Sequence, residues 1–204
     1  MKSSIFTALA FLLYTTGFTQ VEDQFSIGPR IGINIASASN VEESKSLVGL
    51  AAGLTSTYSF SEKSGVTLDL LYSGEGFAHE FSDSKVKLGY ILLPIYFDLF
   101  FGELGQALRP KVYAGIAPAF LISAKYSVNQ NDLDVRLDYA DFNFSFTAGA
   151  GINYRLSDRV WLNGDVRAFI GITDLRHKSL LEGDTVASRN VQVSAGVAYG
   201  LSKI

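Results

Sequence analysis

The 204-residue chain has no cysteine, one tryptophan, two histidines and four prolines, and each scarcity excludes something. Without cysteine, no disulfide staples the fold and no thiolate holds a metal. No segment after the N-terminus approaches about 18 unbroken apolar residues, so the sequence offers no membrane-spanning helix. Lys and Arg number 17 against 20 Asp and Glu, which leaves no basic surplus for a nucleic-acid backbone. Gly-x-Ser-x-Gly is absent, so a serine-hydrolase elbow is not indicated. The glycines do not lead into helices as a phosphate-cradling loop requires.

The first residues have the composition of an export signal. Lys2 supplies a positive start, Ile5 to Tyr14 a short apolar core, and Gly17 and Thr19 the small residues of a cleavage site before Gln20. A signal peptide is expected over residues 1–19, with one mature domain over residues 20–204. Removing Lys2 leaves 16 basic against 20 acidic residues, a mature net charge of −4.

What fills the mature chain is alternation. Near the C-terminus Val191, Val193, Ala195, Val197, Tyr199 and Leu201 take one parity, and Gln192, Ser194, Gly196, Ala198, Gly200 and Ser202 take the other. Successive side chains of a strand point to opposite faces, so such a strand has one apolar and one small or polar side. The pattern predicts strands at about 25–38, 47–60, 65–79, 85–98, 110–125, 141–155, 160–173 and 190–202. Strands of soluble sandwiches run about five or six residues, whereas a tilted strand crossing a bilayer needs about 9–11. Eight long alternating strands, an even number, indicate an all-β protein: an eight-stranded antiparallel up-and-down transmembrane β-barrel. Pro94 and Pro118 cannot donate to a ladder and suggest irregular pairing in the fourth and fifth strands.

The connections support the same architecture. Breaks after strands two and six are tight, while 38–46, 126–140 and 174–189 are long and polar. Short turns on the periplasmic side and longer loops outside are the rule for such barrels. Outer-membrane localisation is therefore expected, with N- and C-termini in the periplasm. The outward aromatics Phe25, Tyr58, Phe60, Phe97, Tyr154 and Tyr199 then gather near the periplasmic ends as a girdle, and Tyr72, Phe120, Phe142 and Phe144 lie nearer the other rim.

Charges of both signs fall on the inward parity: Arg30, Asp69, Glu75, Arg155, Asp165 and Arg167. An eight-stranded barrel is just wide enough for side chains to fill, so these charges must pair into a structural network. Asp165, two residues from Arg167 on one face, is its nearest candidate partner along the chain. Leu71, Phe77, Tyr113, Leu121, Trp161 and Phe169 also point inward and obstruct the lumen. Catalytic, cofactor and metal sites are not indicated. His79, Glu80 and Asp83 can be drawn as a metal site, and Asp132, Asp134 and Asp138 as a cation-attracting loop, but solvated loop residues account for both sets.

Three stretches resemble the PorT-like outer-membrane β-barrel family of Bacteroidetes. These are IGPRIGIN in the first strand, Tyr90 to Phe97 around Pro94, and VWLNGDVRAFIGITDL from Val160 to Leu175. Leu92 stands where that family usually has an acidic residue and Asp98 where a basic one is common, so an interior ion pair there is absent or rearranged. The chain ends in Ser202-Lys203-Ile204 rather than a terminal aromatic. The resemblance implies an outer-membrane barrel, in some members linked to type IX secretion or gliding. A small closed monomeric barrel contacting outer-membrane lipid is the expected function, with a structural, binding or envelope-assembly role and no catalysis. The alternatives are a narrow porin passing small solutes, an accessory component of a secretion system whose partners are envelope proteins, and a loop-borne enzyme.

Overall fold

The computed structural model describes residues 24–38, 44–79, 84–103, 106–128, 131–175 and 186–201. The expected signal peptide, His177, Glu80, Asp83, the His79 side chain and the terminal residues 202–204 lie outside them. Ten strands follow in chain order: β1 (Gln24–Ala38), β2 (Ser44–Ser59), β3 (Ser64–His79), β4 (Ser84–Leu92), β5 (Ile95–Phe100), β6 (Leu108–Val128), β7 (Asn131–Asp134), β8 (Phe142–Arg155), β9 (Val160–Gly171) and β10 (Ser188–Gly200). A single 3-10 turn, Arg136–Asp138, follows β7.

All pairings are antiparallel, and the sheet closes on itself where β1 meets β10, with Arg30 opposite Gly196 and Ile35 opposite Val191. β4 and β5 are two halves of one stave, both lying between β3 and β6. β7 is a short flap paired only to the end of β6. Ten strands less one for the shared stave and one for the flap leaves eight staves around the ring.

The prolines act differently from each other. At Pro94 the stave is interrupted, and the ring's hydrogen bonds detour around it: Leu93 N–H donates to the Pro118 carbonyl at 2.9 Å, and Asp69 N–H to the Pro94 carbonyl at 2.9 Å. Pro118 stays in register opposite Phe144. The bulge lies beyond it, where Tyr90 faces Leu121 but Gly89 faces Ser123, making Ile122 the extra residue. The connections also differ from expectation. Because β2 begins at Ser44, the connection after β1 spans only 39–43, and β6 continues to Val128 before doubling back as β7.

The two faces separate as the parity requires. Outward lie Ile31, Ile33, Leu50, Leu70, Ile116, Phe146, Val166, Ile170, Val193 and many more large apolar residues, all substantially exposed. Inward lie serine, threonine, asparagine and charged side chains, nearly all buried. A continuous apolar exterior around a polar interior is stable only where the surroundings are hydrocarbon. Phe25, Tyr58, Phe60, Phe97, Tyr154 and Tyr199 are exposed on this exterior. They cluster at the end that carries the β2–β3, β5–β6 and β8–β9 turns, with Phe25 opposite Tyr58 and the Phe60 and Phe97 rings 5.9 Å apart. At the other end Phe120 and Phe142 meet edge to face at 5.4 Å.

Val166 sits mid-strand on the lipid face, between Ala150 and Val193. Val166→Arg is expected to cost about 2–4 kcal/mol if it lies at the hydrocarbon midplane. Urea unfolding in lipid vesicles measures it, and an unchanged midpoint would show that this face does not contact lipid.

Candidate functional site

Small inward residues leave room for the large ones. A Cβ on Gly149 would lie 2.7 Å from the Tyr113 ring, and one on Gly151 would lie 2.5 Å from an Asp165 carboxylate oxygen. Glycine on the inner parity of β8 therefore makes the volume that Tyr113 and the central carboxylate occupy.

Into that volume the strands project six charges that alternate in sign. Arg167 on β9 donates through Nη1 to Oδ2 of Asp69 on β3 at 2.7 Å. The same oxygen accepts from the Tyr96 hydroxyl at 3.2 Å and lies 3.9 Å from Nε of Arg30 on β1. Arg30 Nη1 donates to Oδ2 of Asp165 at 2.9 Å. The other Asp165 oxygen lies 3.4 Å from Lys111 Nζ on β6, and Lys111 reaches Oδ1 of Asp98 on β5 at 3.2 Å. Thr67 closes the series, donating to Asp98 Oδ2 at 2.6 Å. The order is Arg167, Asp69, Arg30, Asp165, Lys111, Asp98: three cations and three carboxylates with no net charge. Arg167 is 1 % exposed, Asp69 0 % and Lys111 4 %, so solvent does little to screen them. Aromatic faces fill the flanks, with Lys111 Nζ 5.0 Å from the Tyr113 centroid and the Arg167 guanidinium 5.5 Å from that of Phe169.

Toward the loop end the charges give way to neutral groups. Arg167 Nε donates to Gln192 at 2.7 Å, Gln192 to Asn34 at 2.8 Å, Asn34 to Ser73 at 2.9 Å, and Ser73 to Glu75 at 3.0 Å. Ser188 at 2.9 Å and Asn190 at 3.2 Å complete the donors around Glu75. Beside this relay lies an apolar cluster that includes Leu71, Phe77, Tyr90, Leu92, Leu121 and Phe169.

Four of the six charges expected in the interior network, Arg30, Asp69, Asp165 and Arg167, meet in one ion-paired chain. Glu75 is buried, but neutral donors hold it rather than an arginine. Arg155 lies at the mouth, half-buried at the last position of β8, and forms no ion pair with a described residue. Parity specifies the face of a residue but not its depth along the barrel. The partner expected for Arg167 is also corrected: Asp165 faces Arg30 and Lys111 instead. Residues two apart on a strand project side by side, whereas a residue across the lumen points straight at the guanidinium. Lys111 and Asp98 were not expected in the network. The available signal was their inward parity, together with the departure at Asp98, whose ion pair runs to Lys111 on the neighbouring stave.

At the loop end, Lys87 and Lys125 flank Asp132 at 3.4 and 3.7 Å. A Ser127 hydrogen bond, with the lysines, holds the Asp132 carboxyl below the ordinary carboxylate range. Among the described residues no three His, Asp or Glu side chains converge to hold a metal ion.

A closed eight-stave ring, an apolar exterior and a lumen packed with paired charges define a small outer-membrane barrel. The chain belongs to the outer membrane protein beta-barrel domain family, whose pattern it matches over residues 18–176. That membership places it in the outer membrane, in contact with the lipid bilayer. Solved structures share the fold at low identity. Neisserial surface protein A superposes with a TM-score of 0.59 at 16% identity, covering 86% of this chain and 96% of that one. OprG from Pseudomonas aeruginosa gives 0.60 at 14%, covering 88% and 96%. Ail of Yersinia pestis, solved with the heparin analogue sucrose octasulfate, gives 0.51 at 14%, covering 88% and 100%. No curated protein matches the sequence.

Arg167 and Arg155 share residue type, strand face and general setting but differ in depth, which makes them a matched pair. Removing Arg167 strands Asp69, and breaking a buried pair typically costs about 3–5 kcal/mol. Arg167→Ala is therefore expected to lower unfolding stability in detergent by that amount, and Arg155→Ala by a small fraction of it. Equal small losses would mean that the lumen is wet and its charges are individually solvated.

Proposed function

We propose that the protein is a closed, non-conducting barrel of the outer membrane with a structural or binding role and no catalysis. On this reading it is a monomer with both termini in the periplasm, and its loop end faces outward. The observation that carries it is the alternating chain from Arg167 to Asp98, which crosses the lumen from β9 to β5 without a water-sized break in its charge contacts. A pore would require those side chains to stand apart. Leu71, Phe77, Tyr113, Leu121 and Phe169, all buried, occupy much of the remaining section.

The resemblance of the Tyr90–Phe97 and Val160–Leu175 stretches to PorT-like barrels supports a second reading, an accessory role beside other envelope proteins in a secretion assembly. In-cell crosslinking separates it from a solitary barrel: specific envelope proteins co-purify under the second reading, and the barrel is recovered alone under the first.

Two measurements test the closed state. Purified protein in planar bilayers is expected to give no stable conductance, and reproducible single-channel steps would replace the plug with a porin. In SDS the unheated protein should migrate differently from the boiled protein, because the ring has no free edge at which detergent can begin unravelling it. Identical migration, with recovery in a soluble periplasmic fraction, would remove the barrel from the membrane altogether.

A further inference from the structure

The end of the lumen beside the aromatic girdle is not filled. A vestibule of about 70 Å³ opens there between the ends of β1, β2, β5, β6, β8, β9 and β10. Its polar walls include Thr55, Thr57, Asn153 and Asn163. Three cations line it, Arg30, Arg109 and Lys111, against the single carboxylate of Asp158 in the exposed β8–β9 turn. The partners of Arg30 and Lys111, Asp165 and Asp98, are not among the lining residues. The neutral chain of charges therefore presents two of its three cations, Arg30 and Lys111, to the cavity and keeps its carboxylates behind them.

Arg109 adds a charge that the chain does not balance. It is 7 % exposed, its guanidinium stacks 5.1 Å from the Phe100 centroid, and its Nη2 donates to the Glu62 carbonyl. Its Nε has no hydrogen-bond partner, and the Glu62 carboxylate acts on it only from beyond ion-pair distance. Asn163 donates through Nδ2 to Asn153 at 2.8 Å, so the wall facing the cations is ordered and neutral.

We propose that this vestibule is a binding site for one small oxyanion, of the phosphate or carboxylate class, taken from the aqueous compartment at the girdle end. A cavity of about 70 Å³ has room for a small tetrahedral ion. Arg109 supplies an N–H fork of the kind that grips oxyanions, and Arg30 and Lys111 supply a positive floor. The cavity is enclosed by the barrel wall, so a lipid-borne phosphate has no route to it and the ligand is a free solute. The site goes beyond the closed-barrel reading and does not depend on the outcome of the conductance measurement.

Calorimetric titration of the detergent-solubilised full barrel with inorganic phosphate, at low salt, tests the proposal. Saturable one-to-one binding is expected. Arg109→Gln should weaken it by about tenfold or more, the loss of one charge-assisted contact. Lys125→Gln, which removes the same charge at the opposite end, should leave it unchanged. Because Arg109→Gln can also disturb the fold, Asn163→Trp provides a second probe. It projects an indole into the cavity without removing a charge and should abolish binding while unheated gel mobility stays native. Absence of saturable binding to the wild-type protein would overturn the proposal. So would equal binding by the wild type and both vestibule variants, or a loss in Lys125→Gln as large as that in Arg109→Gln.

Discussion

Eight staves enclose a space that side chains alone can fill, and this narrowness governs everything inside the barrel. A charge in that space has neither bulk water nor room to withdraw, so it must meet its opposite at contact distance. Asp69 accepts from Arg167 at 2.7 Å, and Asp165 from Arg30 at 2.9 Å. The outer face follows from the same closure. Once the polar groups are directed inward, Ile, Leu and Val occupy the outward parity, and hydrocarbon is the surrounding that this face tolerates.

The two networks in the lumen solve different problems. The charged chain joins β1, β3, β5, β6 and β9, so it ties together staves that are not neighbours in the ring. The neutral relay through Gln192, Asn34 and Ser73 runs along the β10–β1–β2–β3 side and reaches Glu75 through groups of modest polarity. Beside that relay, β3, β4, β6 and β9 contribute Leu71, Phe77, Leu88, Tyr90, Leu121 and Phe169. Leu92 falls within this apolar cluster.

The amino-acid sequence made the ring legible because alternation with period two is a local property. The faces of β1, β8 and β10 can be read one residue at a time, and the outward aromatics fall on the expected side. Depth and partnership are not local. Arg155 and Arg167 carry the same parity, yet one ends at a mouth and the other in the centre, since depth depends on strand tilt and shear. Lys111 has the inward parity of β6, and its carboxylates come from β5 and β9. The link to Asp98 joins neighbouring staves and the link to Asp165 crosses the lumen, and the alternation along one strand specifies neither.

The seam between β1 and β10 unites the first and last of the described strands. The Arg30–Asp165 contact spans 135 residues, and Gln192 reaches Asn34 across 158. Bringing such distant segments together closes the longest loops of the polypeptide, a cost that grows only slowly with their length but slows the pairing. Arg30 lies 3.9 Å from Asp69 of β3 but reaches its closer counter-ion, Asp165 of β9, only when the late strands arrive, and until then β1 exposes an open edge. Annealing of the ring therefore completes the ion pairing at its centre. A nascent chain stopped before β10 leaves β1 without its second neighbour, so β10 licenses the ring to close in the bilayer.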